Sequence, residues 1–106
     1  MQNLVSIIIP TFNRAESLQR AIDSVFFQTY QNWELIIVDN SSTDSTKSVI
    51  KKYNRKKIKF ISVNNDGIIA YSRNIGIKNS KGKFVAFLDS DDWWEPSKLE
   101  VCLEYL

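Results

Sequence analysis

The stretch Leu4-Val5-Ser6-Ile7-Ile8-Ile9-Pro10-Thr11-Phe12-Asn13-Arg14 decides the fold. Residues 4–9 are apolar at every position but Ser6, and Pro10 is expected to stop the run. A short apolar run without polar alternation reads as a strand buried on both faces, the kind found inside a parallel sheet. Leu18, Ala21, Ile22, Val25 and Phe26 then recur at helical spacing, so residues 14–28 are expected to form an amphipathic helix. Residues 33–38 are a second apolar strand rich in β-branched side chains. Ser42, Thr43 and Asp44 are good helix caps, and predict a helix from there to about residue 53. Residues 58–63 form a third strand and 68–78 a third helix, in which Gly76 is the weak point. Residues 83–88 form a fourth strand, and Pro96 is placed to open a last helix at its first position, running to residue 106. Strands alternating with helices predict right-handed crossovers and a parallel α/β sheet with helices on both faces. The expected strand order is 3-2-1-4, with the doubly apolar first strand central.

Composition supports one folded domain over residues 1–106. Hydrophobic residues make up 43% and charged residues 25%, an ordinary globular balance that excludes disorder. No apolar run approaches the roughly 18–20 residues that a membrane-spanning helix needs. The N-terminus lacks the basic stretch ahead of an apolar one that marks a signal peptide. The single Cys102 rules out an internal disulfide and fits a reducing compartment, so a cytoplasmic location is expected, at the inner face of the membrane for a longer protein. With no histidine and one cysteine, zinc enzymes, Ser-His-Asp triads and Cys-His proteases are excluded within this chain. Residues 51–59 hold six basic and no acidic residues. Such a run fits nucleic acid or anionic lipid, but its simpler reading is a solvated helix end and connection, and no nucleic-acid partner is expected.

Ligands of open parallel sheets sit at the carboxyl ends of the strands. Here those ends carry Pro10 to Arg14, then Asp39 to Ser42, then Asn64 to Gly67, then Asp89 to Trp94. The Gly-rich dinucleotide and P-loop fingerprints are absent. A bare phosphate would not choose so acidic an edge, so the carboxylates point to a divalent cation that neutralises both them and an incoming phosphate. Asp89-Ser90-Asp91 brings two carboxylates within reach of one oxygen-preferring ion such as Mn²⁺ or Mg²⁺. Asp residues also commonly cap helices and end strands, which is the simpler reading of any one of them. Phe12 is a large ring in a polar loop; it either stacks on a nucleobase or folds back onto the core. Arg73 pairs either with a ligand phosphate or carbonyl, or with a surface carboxylate.

Four motifs, in order, resemble the N-terminal half of a family-two glycosyltransferase of the GT-A fold. They are Val5-Ser6-Ile7-Ile8-Ile9-Pro10-Thr11-Phe12-Asn13-Arg14; Trp33-Glu34-Leu35-Ile36-Ile37-Val38-Asp39-Asn40-Ser41-Ser42-Thr43-Asp44; Asn65-Asp66-Gly67 with Ser72-Arg73-Asn74-Ile75-Gly76, where Ser72 replaces the usual Ala; and Phe87-Leu88-Asp89-Ser90-Asp91-Asp92, the D-x-D signature. The resemblance implies a nucleotide-sugar-binding domain that is the front part of a longer enzyme of cell-surface polysaccharide biosynthesis. Its implied donor is a nucleoside diphosphate sugar, typically of uridine, and its acceptor a saccharide or other hydroxyl. It implies that Pro10, Thr11, Phe12 and Asn13 form the nucleotide loop, with Thr11 and Phe12 against the base. Asp39 would accept from the base ring nitrogen, and Asn65 and Arg73 would help hold base and phosphates. Asp89 and Ser90 would lie toward the ribose or sugar. Asp91, with Asp89, would hold the metal on the diphosphate. The family transfers sugar with inversion, using a general base well beyond the D-x-D motif. No catalytic base is therefore assigned within these residues, and the chain alone is expected to bind a donor without transferring sugar. Apolar surface near Trp93, Trp94 and Leu103 is expected to be exposed and to favour self-association. A nucleotide-binding module without transfer activity and a phosphoacceptor signalling domain are the other readings; the second is weakened by the absence of a fifth strand carrying Lys.

Overall fold

The computed structural model describes residues 3–40, 42, 43, 45–53, 56–64 and 68–106. Strand β1 (Val5–Thr11) leads into α1 (Ala15–Phe26), then β2 (Trp33–Asn40), α2 (Thr46–Ile50), β3 (Ile58–Val63), α3 (Ile69–Lys78), β4 (Phe84–Phe87) and α4 (Lys98–Glu104). The sheet is parallel throughout, in the order β3-β2-β1-β4. β1 lies between β2 and β4 and is buried along its whole length, as its doubly apolar pattern requires. Side chains alternate between faces. Ile7, Ile9, Leu35 and Ile37 meet α1, α2 and Leu99 of α4 in the main core. Ile8, Ile36 and Val38 meet Ile75 of α3 on the other face. No described helix is long and apolar enough to cross a membrane.

Several boundaries differ from expectation, three of them with a clear physical reason. Pro10 does not stop β1, which runs on to Thr11 with Pro10 in register with Val38. The backbones of Leu4 and Ile8 face β4, accepting from Lys83 and Leu88. Pro10 faces the same way, but β4 pairing ends at Ile8 opposite Phe87, so no ladder bond needs its missing N–H. α2 starts at Thr46, after Ser45, and has only five residues. Ser42 and Thr43 do not cap it, because their hydroxyls are engaged elsewhere, that of Ser42 with Asp39 and the Asn13 backbone and that of Thr43 with the Asn13 side chain; Asp44 lies outside the described residues. Pro96 stands ahead of α4 rather than at its first position: its carbonyl accepts from the Thr29 backbone, and a turn from Glu95 to Lys98 leads into the helix. Trp94 and Leu103 pack against the main core. Trp93 is exposed as expected, and the other exposed apolar side chains of this region are Val85, Phe87, Val101, Tyr105 and Leu106.

The lower end of the sheet is pinned by a polar network. Ser6, the one polar residue of the opening run, donates to Glu34, which also accepts from the Lys81 backbone at 2.7 Å, while Gly82 donates to the Ser6 hydroxyl at 2.8 Å. A Cβ on Gly82 would lie 2.6 Å from the Ser6 nitrogen, so only glycine permits this approach. Behind α1, Phe26 packs edge-on against Trp33 and stacks on Tyr53. The Tyr53 hydroxyl donates to Asp23 at 2.6 Å. Burial, then the Asp23 bond and charge, push its pKa well above the usual phenol range.

Candidate functional site

The described carboxyl ends of the strands form one edge, and a cleft of about 400 Å³ opens there on the α3 side of the sheet. Pro10, Thr11, Phe12 and Arg14 line it from the end of β1, and Asn40 from the end of β2. Ile69, Ser72 and Arg73 line it from the first turns of α3, and Asp89, Ser90 and Asp91 from the loop after β4. Its size and mixed lining suit a small polar ligand with an aromatic or aliphatic part. Phe12 does not fold back onto the core; its side chain is 53% exposed at the cleft wall.

Of the residues singled out by sequence, Pro10, Thr11, Phe12, Arg73, Asp89, Ser90 and Asp91 come together. Asn65 lies outside the described residues, as do Asp66 and Gly67. Asp39 shares the edge but does not line the cleft. Along a strand successive side chains point to opposite faces, so Asn40 enters the cleft and Asp39 turns to the main-core side, 1% exposed. There its carboxylate accepts from the Ser42 hydroxyl and, at 3.2 Å, from the Ser42 backbone. Asn13 likewise serves the loops rather than the cleft. It adopts a left-handed backbone (φ 49°), its N–H donates to the Ser42 hydroxyl at 2.8 Å, and its side-chain oxygen accepts from the Thr43 backbone at 2.8 Å. Asp39 and Asn13 thus tie the first two loops together, and Asn is among the few side chains that tolerate such a φ.

Arg14, Asn40, Ile69 and Ser72 are cleft residues that the sequence did not single out as sites. A signal for two of them was present: Ile69, Ser72, Arg73 and Gly76 fall at i, i+3, i+4 and i+7, one face of α3. Gly76 sets how deep that face sits. A Cβ there would be 2.5 Å from Cγ2 of the fully buried Ile8, so the absent side chain lets α3 lie close over β1.

The electrostatics leave room for a ligand. The Arg73 guanidinium stands 3.4 Å from Asp89 and 5.5 Å from the centre of the Phe87 ring. An exposed pair of this length is worth at most about 1 kcal/mol, so an anion can displace Asp89 at little cost. Among the described residues, the buried side-chain polar atoms without a partner are the Thr11 hydroxyl, the Trp33 indole nitrogen and Arg73 Nε. Arg73 lines the cleft, and a buried polar atom left unpaired costs about 1–3 kcal/mol unless a ligand or water completes it; the Thr11 side chain, in register with Asp39, turns to the main-core side. No cluster of three or more His, Cys, Asp or Glu able to cage a metal occurs among the described residues. Asp91, with Asp89 two residues before it, instead fits a cation held by one or two carboxylates plus substrate phosphates.

This sheet and the place of its cleft define a Rossmann-like α/β domain of the GT-A type. The chain belongs to glycosyl transferase family 2, whose family model matches residues 6–106. It is 37% identical over 105 residues to the putative teichuronic acid biosynthesis glycosyltransferase TuaG of Bacillus subtilis, covering 97% of this chain and 42% of that protein. It is 41% identical over 98 residues to the UDP-Glc:alpha-D-GlcNAc-diphosphoundecaprenol beta-1,3-glucosyltransferase WfgD of Escherichia coli, covering 92% and 39%. The chain thus spans less than half the length of these relatives. S. aureus TarS 1-349 in complex with UDP-GlcNAc superposes with a TM-score of 0.87 at 30% identity, over 95% of this chain and 30% of that one. The mannosyltransferase PcManGT of Pyrobaculum calidifontis, in complex with GDP-Man and Mn²⁺, shares the fold, with a TM-score of 0.90 at 24% identity over 100% and 33%.

Proposed function

We propose that residues 1–106 are the donor-binding domain, and the N-terminal part, of an inverting glycosyltransferase that takes a uridine diphosphate sugar and transfers the sugar to a hydroxyl acceptor. The observation that carries this reading is the gathering, in one cleft, of the Phe12 ring and the Arg73 guanidinium with the Asp89 and Asp91 carboxylates. TarS, whose fold this chain shares at 30% identity, is seen with UDP-GlcNAc.

Phe12 would stack on uracil while the Thr11 backbone lies against the base. Arg73 would exchange Asp89 for a phosphate oxygen, a charge-assisted bond stronger than the exposed ion pair it replaces. Asp91, joined by the released Asp89, would hold a divalent cation. That cation would supply charge stabilisation to the diphosphate leaving group. Activation of the acceptor hydroxyl is assigned to none of these residues. In this arrangement Asp39 acts on the base side by fixing Ser42, and Asn65 is kept as a base or phosphate contact on the strength of the motif.

Asp39→Ala is accordingly expected to weaken uridine and UDP by a similar factor, at most about 10- to 150-fold for the loss of hydrogen bonds to a charged group. The loss should not depend on Mn²⁺. Calorimetric titration of both ligands, with and without metal, checks this, and a loss seen only with metal would refute the role given to Asp39.

A further inference from the structure

Gln28 is the most deeply buried side-chain amide among the described residues, 1% exposed, and sits just past the end of α1. Its side-chain nitrogen donates to Ser24 O at 3.2 Å and to Glu95 O at 2.6 Å, and its side-chain oxygen accepts from the Leu99 backbone at 3.0 Å. Thr29 adds a bond from its N–H to Pro96 O at 2.9 Å. Two adjacent residues of the first crossover therefore grip the chain at Glu95, Pro96 and Leu99. Glu95 is four residues beyond Asp91.

The other end of that segment is also fixed. Leu88 is 2% exposed, and its N–H donates to Ile8 O at 3.0 Å. Between these anchors run only residues 89–94, which carry both cleft carboxylates and close a turn from Asp92 N to Asp89 O at 3.0 Å. α1 touches this span a second time, where Arg20 reaches Asp91 O at 3.5 Å. A buried amide with its donors and acceptor engaged is costly to misplace, because each group would be left unsatisfied away from water.

We infer that Gln28 is a positioning residue for the metal-holding loop: it brings residues 89–94 under two-ended restraint, and so sets how tightly a cation and diphosphate are held together without touching either. This rests on the donor-binding reading above. Stability alone would need only one more packed apolar side chain there. The bond to Glu95 O instead fixes where the segment leaves the site.

The experiment compares Gln28→Met, which keeps the volume and loses all three bonds, with Gln28→Glu, which keeps an acceptor for Leu99 and loses both donors. Each is titrated with UDP plus Mn²⁺ and with uridine without metal, at a temperature where its melting curve shows it folded. Amide hydrogen exchange is followed over residues 89–95 and over β1 and β2. Both variants are expected to lose roughly 10-fold in metal-dependent UDP affinity, the lower end for groups that orient a metal-holding residue from outside. Uridine affinity should stay within about twofold. Exchange over 89–95 should rise while that of β1 and β2 stays slow. Parallel losses of uridine and UDP, unchanged UDP affinity in a folded variant, or unchanged exchange would each overturn the inference. Absence of UDP binding by the unsubstituted chain would instead overturn the donor-binding reading, and the inference with it. If neither variant folds, Gln28→Asn, which keeps the amide but shortens its reach, supplies the same comparison.

Discussion

Asp91→Ala should lower UDP affinity by at least about 10- to 100-fold when Mn²⁺ is present, the range seen for groups that support a metal from outside its direct ligands. Uridine affinity should be unchanged within about twofold, since a neutral nucleoside offers no phosphate for a cation to bridge. The asymmetry follows from the cleft. Asp91 lines it beside Asp89, whose carboxylate already faces Arg73, so Asp91 is the carboxylate free of a described ion pair at that end. Losing it leaves one carboxylate to serve both a cation and a guanidinium. Titration of the same protein with UDP and uridine, each with and without Mn²⁺, gives four numbers, of which only UDP with metal should move. Equal losses in all four would mean that the loop carries structure rather than charge.

Gly76→Ala is expected to destabilise the fold and weaken the nucleotide, although alanine favours an isolated helix over glycine by about 0.8–1.0 kcal/mol. The new Cβ would sit 2.5 Å from the Ile8 side chain in the sheet interior. Ile8 is fully buried between β2, β4 and α3, so α3 has to move away. Overpacking of this kind costs about 1–3 kcal/mol, and each net kcal/mol lowers the melting temperature of a domain this size by about 4–8 °C. Ile69, Ser72 and Arg73 ride on the same helix face and would withdraw from the cleft with it. A melting temperature that rises, as helix propensity alone would have it, would show that the close contact is relieved cheaply and that α3 is not held at that depth.

The sheet was legible in the sequence because burial on both faces leaves a plain mark. Residues 4–9 and 33–38 are apolar without alternation, and only the centre of a parallel sheet accommodates two such runs side by side. The gathering of Asp89, Asp91 and Phe12 followed from strand ends sharing an edge, and the place of Arg73 from the resemblance. What escaped depended on contacts distant in sequence. Ser42 and Thr43 have the composition of helix caps, but Asp39 and Asn13 claim their hydroxyls first. Asp39 drew attention through its charge, whereas the two-residue alternation of β2 sends Asn40 into the cleft instead. Gly76 looked like a break in α3 and is a close approach to β1. Gln28 looked like an ordinary polar end to α1; its partners at Glu95 and Leu99 lie 67 and 71 residues away.

The central claim is that the cleft at the carboxyl edge holds a nucleoside diphosphate through a divalent cation. Titration calorimetry of the unsubstituted chain with UDP, first in Mn²⁺ and then after chelation, tests it most directly. The account predicts saturable binding of one UDP per chain in Mn²⁺, at least about 10-fold weaker once the metal is removed, with uridine indifferent to the change. Binding of UDP that is equally strong with and without metal, or no binding in either, would contradict it.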